Sequence, residues 1–232
     1  LAVDLGRAEE AMVRLLRRAK DRPADPELYS GLAYACRYCG LMSAAIAAAE
    51  QARRLDPRIR TSGANTLFML GEYERVIDYQ VETIPYLPCL ALLMLDRTDE
   101  VRQLLQKVDL RTAGKLGSFI KALLAIVNED VEATLQHLRE MSDIPDPEGR
   151  YHVARGLARF GKPDEAVPML AKCVEQGFFC LTAFNRDPWL DDLRGTHEFT
   201  ALLRHAESRH RQAVISFLNA EGDRVLGVGH PV

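Results

Sequence analysis

The segment YSGLAYACRYCGLMSAAIAAAEQARRLDP (Tyr29–Pro57) decides the fold of this chain. It follows Asp25 and Pro26, a capping residue and a proline suited to the first helical position. Gly40, the residue type that commonly ends helices, divides the segment into two stretches with apolar side chains at helical spacing. The segment therefore predicts two antiparallel helices that turn at Gly40, and the second ends before Pro57.

The same arrangement recurs along the chain. Gly40 and Gly71 lie 31 residues apart, as do Pro57 and Pro88. Further copies turn at Gly161, at Asn128 and, in shortened form, at Asp96–Thr98. Alanines recur at positions where helices of one pair, and of neighbouring pairs, have to approach closely: Ala33, Ala45, Ala49, Ala52 and Ala166. Because one pair cannot bury its apolar face alone, the pattern predicts a stack of helix pairs.

These residues resemble the tetratricopeptide repeat, a helix pair of about 34 residues. The first full copy matches the family pattern at Tyr29, Leu32, Ala33, Cys36, Gly40, Ala45, Ala49, Ala52 and Pro57. A later copy matches it at Ala154, Leu157, Gly161, Ala166 and Leu170. The resemblance implies an all-α, right-handed superhelical array of antiparallel helix pairs, closed by a capping helix at its C-terminal end.

We predict three parts. Residues 1–24 form the second half of a truncated repeat, so the chain, which starts at Leu1, is expected to begin inside an array from a longer protein. Residues 25–180 form the array, with degenerate copies near 89–145. Residues 181–232 form an aromatic-rich cap with a long helix from about Thr196 to Leu218 and a loose tail. The run RDPWLDDLRG (residues 186–195) resembles the closing segment of such arrays in large bacterial signalling proteins, where they follow a kinase, a cyclase or a transcription regulator.

Charge and composition exclude several classes of protein. The net charge is −3, and residues 61–149 carry 15 acidic and 8 basic groups, so that no basic face for nucleic acid is predicted. No apolar run reaches the roughly 20 residues that cross a bilayer, and we predict no membrane partner. The five cysteines form no disulfide framework, which favours the cytoplasm.

The residues that could carry chemistry have structural interpretations. Cys36 and Cys39 lie at the C-terminal end of a helix, where the helix dipole opposes a thiolate. The six histidines match no metal-binding spacing and are interpreted as surface or edge residues. The segment NRDPW (185–189) lacks the other motifs of a kinase. We therefore predict no enzyme, no cofactor and no metal.

The resemblance also implies a concave groove, lined by the first helix of each pair, that receives a peptide or a neighbouring domain. Matching the family pattern places Lys115, Ser118 and Glu148 in the groove. The principal candidates are Tyr34, Arg37, Tyr38, Arg58, Asn65, Phe68, Tyr151, Arg155 and Arg159. Tyrosine and arginine are enriched in binding hot spots.

The predicted function is a non-catalytic protein–protein interaction module, a scaffold within a larger bacterial signalling protein. The first alternative is self-association into a homo-oligomer through the acidic middle and the mildly basic ends. The second is a metal or redox protein that uses Cys36 and Cys39.

Overall fold

A computed structural model describes residues 6–79, 84–111, 114–229 and 231, with the exception of the Lys115 side chain. The regular elements of these residues are helical, which confirms the all-α fold class. The α-helices are α1 Ala8–Asp21, α2 Pro26–Tyr38, α3 Met42–Leu55, α4 Gly63–Leu70, α5 Tyr73–Asp78, α6 Tyr86–Met94, α7 Thr98–Leu105, α8 Gly117–Val127, α9 Val131–Glu140, α10 Pro147–Arg159, α11 Pro163–Glu175, α12 Leu181–Arg186, α13 His197–Asn219 and α14 Gly222–Leu226. Two 3₁₀ helices span Gly114–Leu116 and Pro188–Leu193. Within this part of the chain no helix combines the length and apolarity needed to cross a bilayer.

The predicted helix pairs form. Helices α2 and α3, α4 and α5, α6 and α7, α8 and α9, and α10 and α11 pack against each other. The second pair differs from the prediction in one respect, because α5 ends at Asp78 and Pro88 lies in the first turn of α6. A proline is tolerated in a first helical turn, where its missing N–H would have no helical partner. Pro88 therefore does not end the second helix of its pair.

The five turns between paired helices share one geometry. Each contains a residue in the left-handed region, with φ of +75° at Gly40, +79° at Gly71 and +70° at Gly161. In the degenerate copies Asp96 and Glu129 adopt φ of +58° and +59°. The next amide then donates to the carbonyl five residues earlier: Leu41 to Cys36, Glu72 to Leu67, Arg97 to Leu92, Asp130 to Ala125 and Lys162 to Leu157. This bond terminates a helix and reverses the chain, so the degenerate copies keep the turn although they lack its glycine.

The predicted small positions lie at helix contacts. Ala33, Ala45, Ala52 and Ala166 have no exposed surface, and Ala49 is almost fully buried. They belong to the pairs α2–α3 and α10–α11. Alanine at these positions lets the helix backbones approach closely.

The C-terminal segment contacts both ends of the array. Helix α13 packs against α11, as expected of a cap, and also against α1. The Nδ1–H of His210 on α13 donates to the Cys39 carbonyl at 2.8 Å, and the Ser216 hydroxyl donates to Glu9 Oε1 at 2.5 Å. Helix α12 packs against α4. The cap therefore joins the last helix pair to the first two pairs and to α1.

The prediction of a loose tail is wrong for the described residues of the tail. Helix α14 packs against α1, α3 and α13, and the Ala44 amide donates to the Pro231 carbonyl at 3.3 Å. Residues 230 and 232, and residues 1–5 of the first predicted part, lie outside the described residues. The described residues of the tail thus pack on α1, α3 and α13.

Candidate functional site

The predicted groove residues occupy three different environments. Arg37, Tyr38, Phe68, Tyr151 and Arg155 are buried, Tyr34 and Asn65 are half-buried, and Arg58 and Arg159 are exposed. The expectation of an open groove at the five buried positions is wrong. The first turn of α10 lies against α2, and the cap segment lies against α10, so protein groups occupy the space that a ligand would need.

Arg37 and Glu148 form the ion pair that joins α2 to α10. The Arg37 Nε and Nη2 atoms donate to the two Glu148 oxygens at 3.1 and 2.6 Å, and both side chains are almost fully buried. Arg37 Nη1 donates to the Ser62 carbonyl at 3.1 Å, and the Asn65 amide donates to Glu148 at 3.1 Å. Burial raises the pKa of the Glu148 carboxyl, and the Arg37 guanidinium opposes that shift. Two-point contacts of this kind fix the relative orientation of both helices.

A second connection runs parallel to the first. The Tyr38 hydroxyl donates to Asp146 Oδ1 at 2.6 Å. Asp146 also caps α10, because its Oδ2 accepts the Gly149 amide at 2.8 Å. Burial, together with the nearby carboxylates, raises the pKa of Tyr38, so the phenol is a permanent donor. Asp146 therefore starts α10 and also ties it to α2.

The NRDPW segment has a structural role. Asp187 accepts two hydrogen bonds from Arg155, through Nε and through Nη2 (2.9 Å), and a third from the Tyr151 hydroxyl at 2.6 Å. The Trp189 ring lies 4.0 Å from the Arg155 guanidinium carbon. Burial acts to raise the pKa of Asp187, but the Arg155 charge and these hydrogen bonds hold the pKa below its ordinary value. Arg155 and Tyr151 are thus the anchor for the start of the cap.

A cavity lies among the first helices of four helix pairs, α4, α6, α8 and α10, and the side of the molecule that these helices form is the inner face. Its walls come from the first helices of four pairs, α4, α6, α8 and α10, and from the α9–α10 connection. The walls are largely apolar, and four of the polar groups are carboxylates. The lining residues are Asn65, Tyr86, Leu87, Leu116, Ser118, Phe119, Glu140, Met141, Asp143, Ile144, Pro145, Asp146, Glu148, Gly149 and His152. The groove candidates Asn65, Ser118 and Glu148 line this cavity, whereas Lys115 has no described side chain.

The cavity measures about 660 Å³. Pockets that hold ligands in proteins commonly measure about 300–1,000 Å³ and combine apolar walls with a few polar groups. This cavity therefore has the size and lining of a binding site, and it lies on the face that the resemblance assigned to a partner.

His152 lies between this cavity and the aromatic interior. Its ring is 5.6 Å from Tyr86, 5.9 Å from Phe68 and 5.4 Å from Tyr151, measured between ring centroids. Burial and the nearby Arg155 charge lower the pKa of His152 to about 3, so the imidazole is neutral at pH 7. Neither ring nitrogen has a hydrogen-bond partner among the described residues. His152 is thus a buried polar group that the described residues leave unsatisfied.

The interpretation of the histidines as surface or edge residues is wrong for His152 and His210, which are both buried. The sequence offered a signal for neither, because each is placed by contacts with helices far away in the chain. Asp146 did have a signal, since Asp146 and Pro147 repeat the pattern of Asp25 and Pro26 at a helix start.

The cysteines are all buried and free. Burial raises the pKa of Cys36 to about 12 and that of Cys39 well above its ordinary value. A raised pKa disfavours the thiolate that metal binding or redox chemistry would use. In the described part of the chain no group of three or more His, Cys, Asp or Glu side chains could hold a metal ion.

Comparisons with protein-family models and with curated proteins give no match to this chain.

Proposed function

We propose that this chain is a non-catalytic interaction module of the tetratricopeptide type, a right-handed superhelical scaffold that binds a segment of a protein or peptide partner. Its docking site is the inner cavity between α4, α6, α8 and α10. The scaffold serves as a docking arm within a larger signalling protein.

The observation that carries this proposal is the position of the cavity. Its lining comes from the first helix of four successive pairs, and each pair contributes through a separate hairpin. Phe119, Leu87 and Met141 supply apolar surface, while Asn65 and Ser118 supply polar groups at its edge. Apolar pockets with a few polar groups at the rim are the places where interface anchors bind.

The remainder of the inner face supports a binding role over catalysis. The buried charges form two ion pairs, Arg37 with Glu148 and Arg155 with Asp187. Such pairs hold helices in fixed positions and keep the cavity walls in place, which lowers the entropic cost of binding.

The test uses a phage-displayed library of random peptides selected on the purified chain. Affinities of the enriched peptides are then measured by fluorescence anisotropy for the wild type and for Ser118→Trp, which places an indole in the cavity. Ser208→Trp, at an exposed position on α13, is the matched control. We expect Ser118→Trp to weaken binding at least about tenfold, equivalent to about 1.4 kcal/mol, and Ser208→Trp to leave it unchanged.

Two results would contradict the proposal. In one, selection on the wild-type chain enriches no peptide relative to selection on the Ser118→Trp variant. In the other, the enriched peptides bind both tryptophan variants equally well, which would place the binding surface outside the cavity.

A further inference from the structure

The cavity has a marked charge asymmetry. Its described lining includes four carboxylates, those of Glu140, Asp143, Asp146 and Glu148, and no lysine or arginine. The segment that supplies most of the walls, residues 61–149, carries 15 acidic and 8 basic groups, a net charge of −7. A field of this sign attracts cations and repels acidic segments.

The four carboxylates are not equally neutralised. Glu148 is paired with Arg37, and Glu140 accepts hydrogen bonds from His137 and Gln136. Asp146 forms no ion pair in the described part of the chain, since its hydrogen-bond donors there are hydroxyls and the Gly149 amide. Asp143 is exposed and likewise has no ion pair among the described residues. Among the described residues, the carboxylates of Asp143 and Asp146 thus have no cationic partner.

Apolar and aromatic surface lies directly beside these charges. The Tyr86 and Phe119 rings, 5.0 Å apart between centroids, form one wall, and Ile144 lies between Asp143 and Asp146 in the sequence. A lysine or arginine side chain has both matching parts, an alkyl stem that packs on apolar surface and a cationic end that binds carboxylates or aromatic faces.

The unsatisfied imidazole of His152 is an independent indication of a ligand at this position. The residue lines the cavity, is more than nine-tenths buried and has no hydrogen-bond partner among the described residues. A buried polar atom without a partner is costly, and such atoms mark positions where a further group completes the site. A neutral imidazole can accept a hydrogen bond from an N–H donor.

We propose that the occupant of the cavity is a basic, apolar peptide segment of the partner, in which a lysine or arginine adjoins a leucine- or phenylalanine-type side chain. The cationic end binds Asp143 and Asp146, and the neighbouring apolar side chain packs on Tyr86 and Phe119. This inference depends on the proposed docking function, of which it specifies the ligand.

The experiment uses an array of fluorescein-labelled octapeptides. Two central positions carry lysine, glutamine or glutamate, and the positions beside them carry leucine, phenylalanine or serine. Binding to the wild-type chain is measured at low and at physiological ionic strength. We expect peptides with lysine beside leucine or phenylalanine to bind at least tenfold more tightly than those with glutamate, and than those with lysine beside serine.

Charge-reversal variants locate the effect. Asp143→Lys changes an exposed residue of the cavity, and Glu132→Lys makes the same change of net charge at an exposed residue of α9 that does not line the cavity. We expect Asp143→Lys to weaken binding of the lysine peptides at least tenfold and Glu132→Lys to weaken it less than twofold. Circular dichroism is used to check that both variants fold.

The outcomes separate this inference from the proposed function. If apolar peptides bind regardless of charge and Ser118→Trp abolishes the binding, the docking function stands and the basic ligand is wrong. If Asp143→Lys and Glu132→Lys weaken binding of the lysine peptides equally, the effect is one of overall charge, and the inference is overturned. If no peptide of the array binds, and none is enriched from the random library, both proposals fail.

Discussion

At the scale of single residues, the inner face includes polar groups whose burial shifts their pKa values. His152 is the clearest case, because its folded pKa of about 3 lies below the value of about 6.5 expected for an unfolded histidine. Between these two values the unfolded chain binds one more proton than the folded chain at this residue. The free energy of unfolding is therefore unaffected by this histidine's protonation above about pH 6.5 and decreases as the pH falls towards 3.

His152→Phe tests this assignment. A phenyl ring fits the aromatic surroundings of Phe68, Tyr86 and Tyr151 and removes the two unsatisfied nitrogens. We expect the variant to be more stable at pH 7 by about 1 kcal/mol, since unsatisfied buried polar groups cost about 1–3 kcal/mol. Below pH 6 the advantage should grow by up to about 1.4 kcal/mol per pH unit, the value for one proton.

The measurement is urea denaturation followed by circular dichroism between pH 4 and pH 7.5. His205→Phe makes the same substitution at an exposed position of α13 and is the matched control. A pH dependence that is the same in His152→Phe and in the wild type would contradict the burial of a neutral His152.

At the scale of secondary-structure elements, the helix pairs were largely predictable from the sequence, because they depend on local signals. Gly40, Gly71 and Gly161 marked their turns, and Thr196 marked the start of the long helix, whose first residue is His197. The end of the second pair was not predictable from Pro88, since a proline suits a first helical turn as well as the position after a helix.

The start of the cap is an element that one aspartate holds in place. Asp187 caps the 3₁₀ helix Pro188–Leu193 through the Trp189 amide at 3.0 Å and pairs with Arg155 inside the protein. Asp187→Ala would leave the buried Arg155 charge without its partner. We expect a loss of about 3–5 kcal/mol in the free energy of unfolding, the range for breaking a buried ion pair.

Asp191→Ala is the matched control. It removes another aspartate of the same 3₁₀ helix, but one whose ion pair with Arg194 is at the surface. Because surface pairs contribute about 0–1 kcal/mol, the control should remain close to the wild type. Urea denaturation measures the free energy of unfolding of both variants. An equal decrease in the two variants would contradict the assigned role of Asp187.

At the scale of the whole molecule, the ends of the array meet. The Arg37–Glu148 and Tyr38–Asp146 contacts join residues that are 111 and 108 positions apart, and α13 joins α1 to α11. The sequence pattern predicted the stack of pairs, but not this closure. The path of a stack depends on small rotations between successive pairs, which accumulate along the chain.

The groove candidates differ in exposure for the same reason, since their burial depends on contacts between helices far apart in the sequence. The resemblance implied a groove at Asn65, Ser118 and Glu148, and these three residues line the cavity. It carried no information that α10 would lie against α2 and cover Arg37 and Tyr38. Contacts between helices far apart in the sequence decide that burial, and no local sequence pattern encodes them.

The closure of the inner face is the central claim, and a double-mutant cycle on Arg37 and Glu148 tests it most directly. Free energies of unfolding are measured by urea denaturation for Arg37→Met, Glu148→Met and the double variant, with Arg58→Met, at an exposed position, as the control partner for Glu148→Met. We predict that each buried substitution alone costs about 3–5 kcal/mol and that the double variant costs at least about 2 kcal/mol less than the sum, because the second substitution removes the unpaired charge that the first one leaves. If the two residues do not touch, the effects of Arg37→Met and Glu148→Met on the free energy of unfolding should add to within about 0.5 kcal/mol. That result would contradict the contact between the first and last helix pairs, and with it the closed inner face.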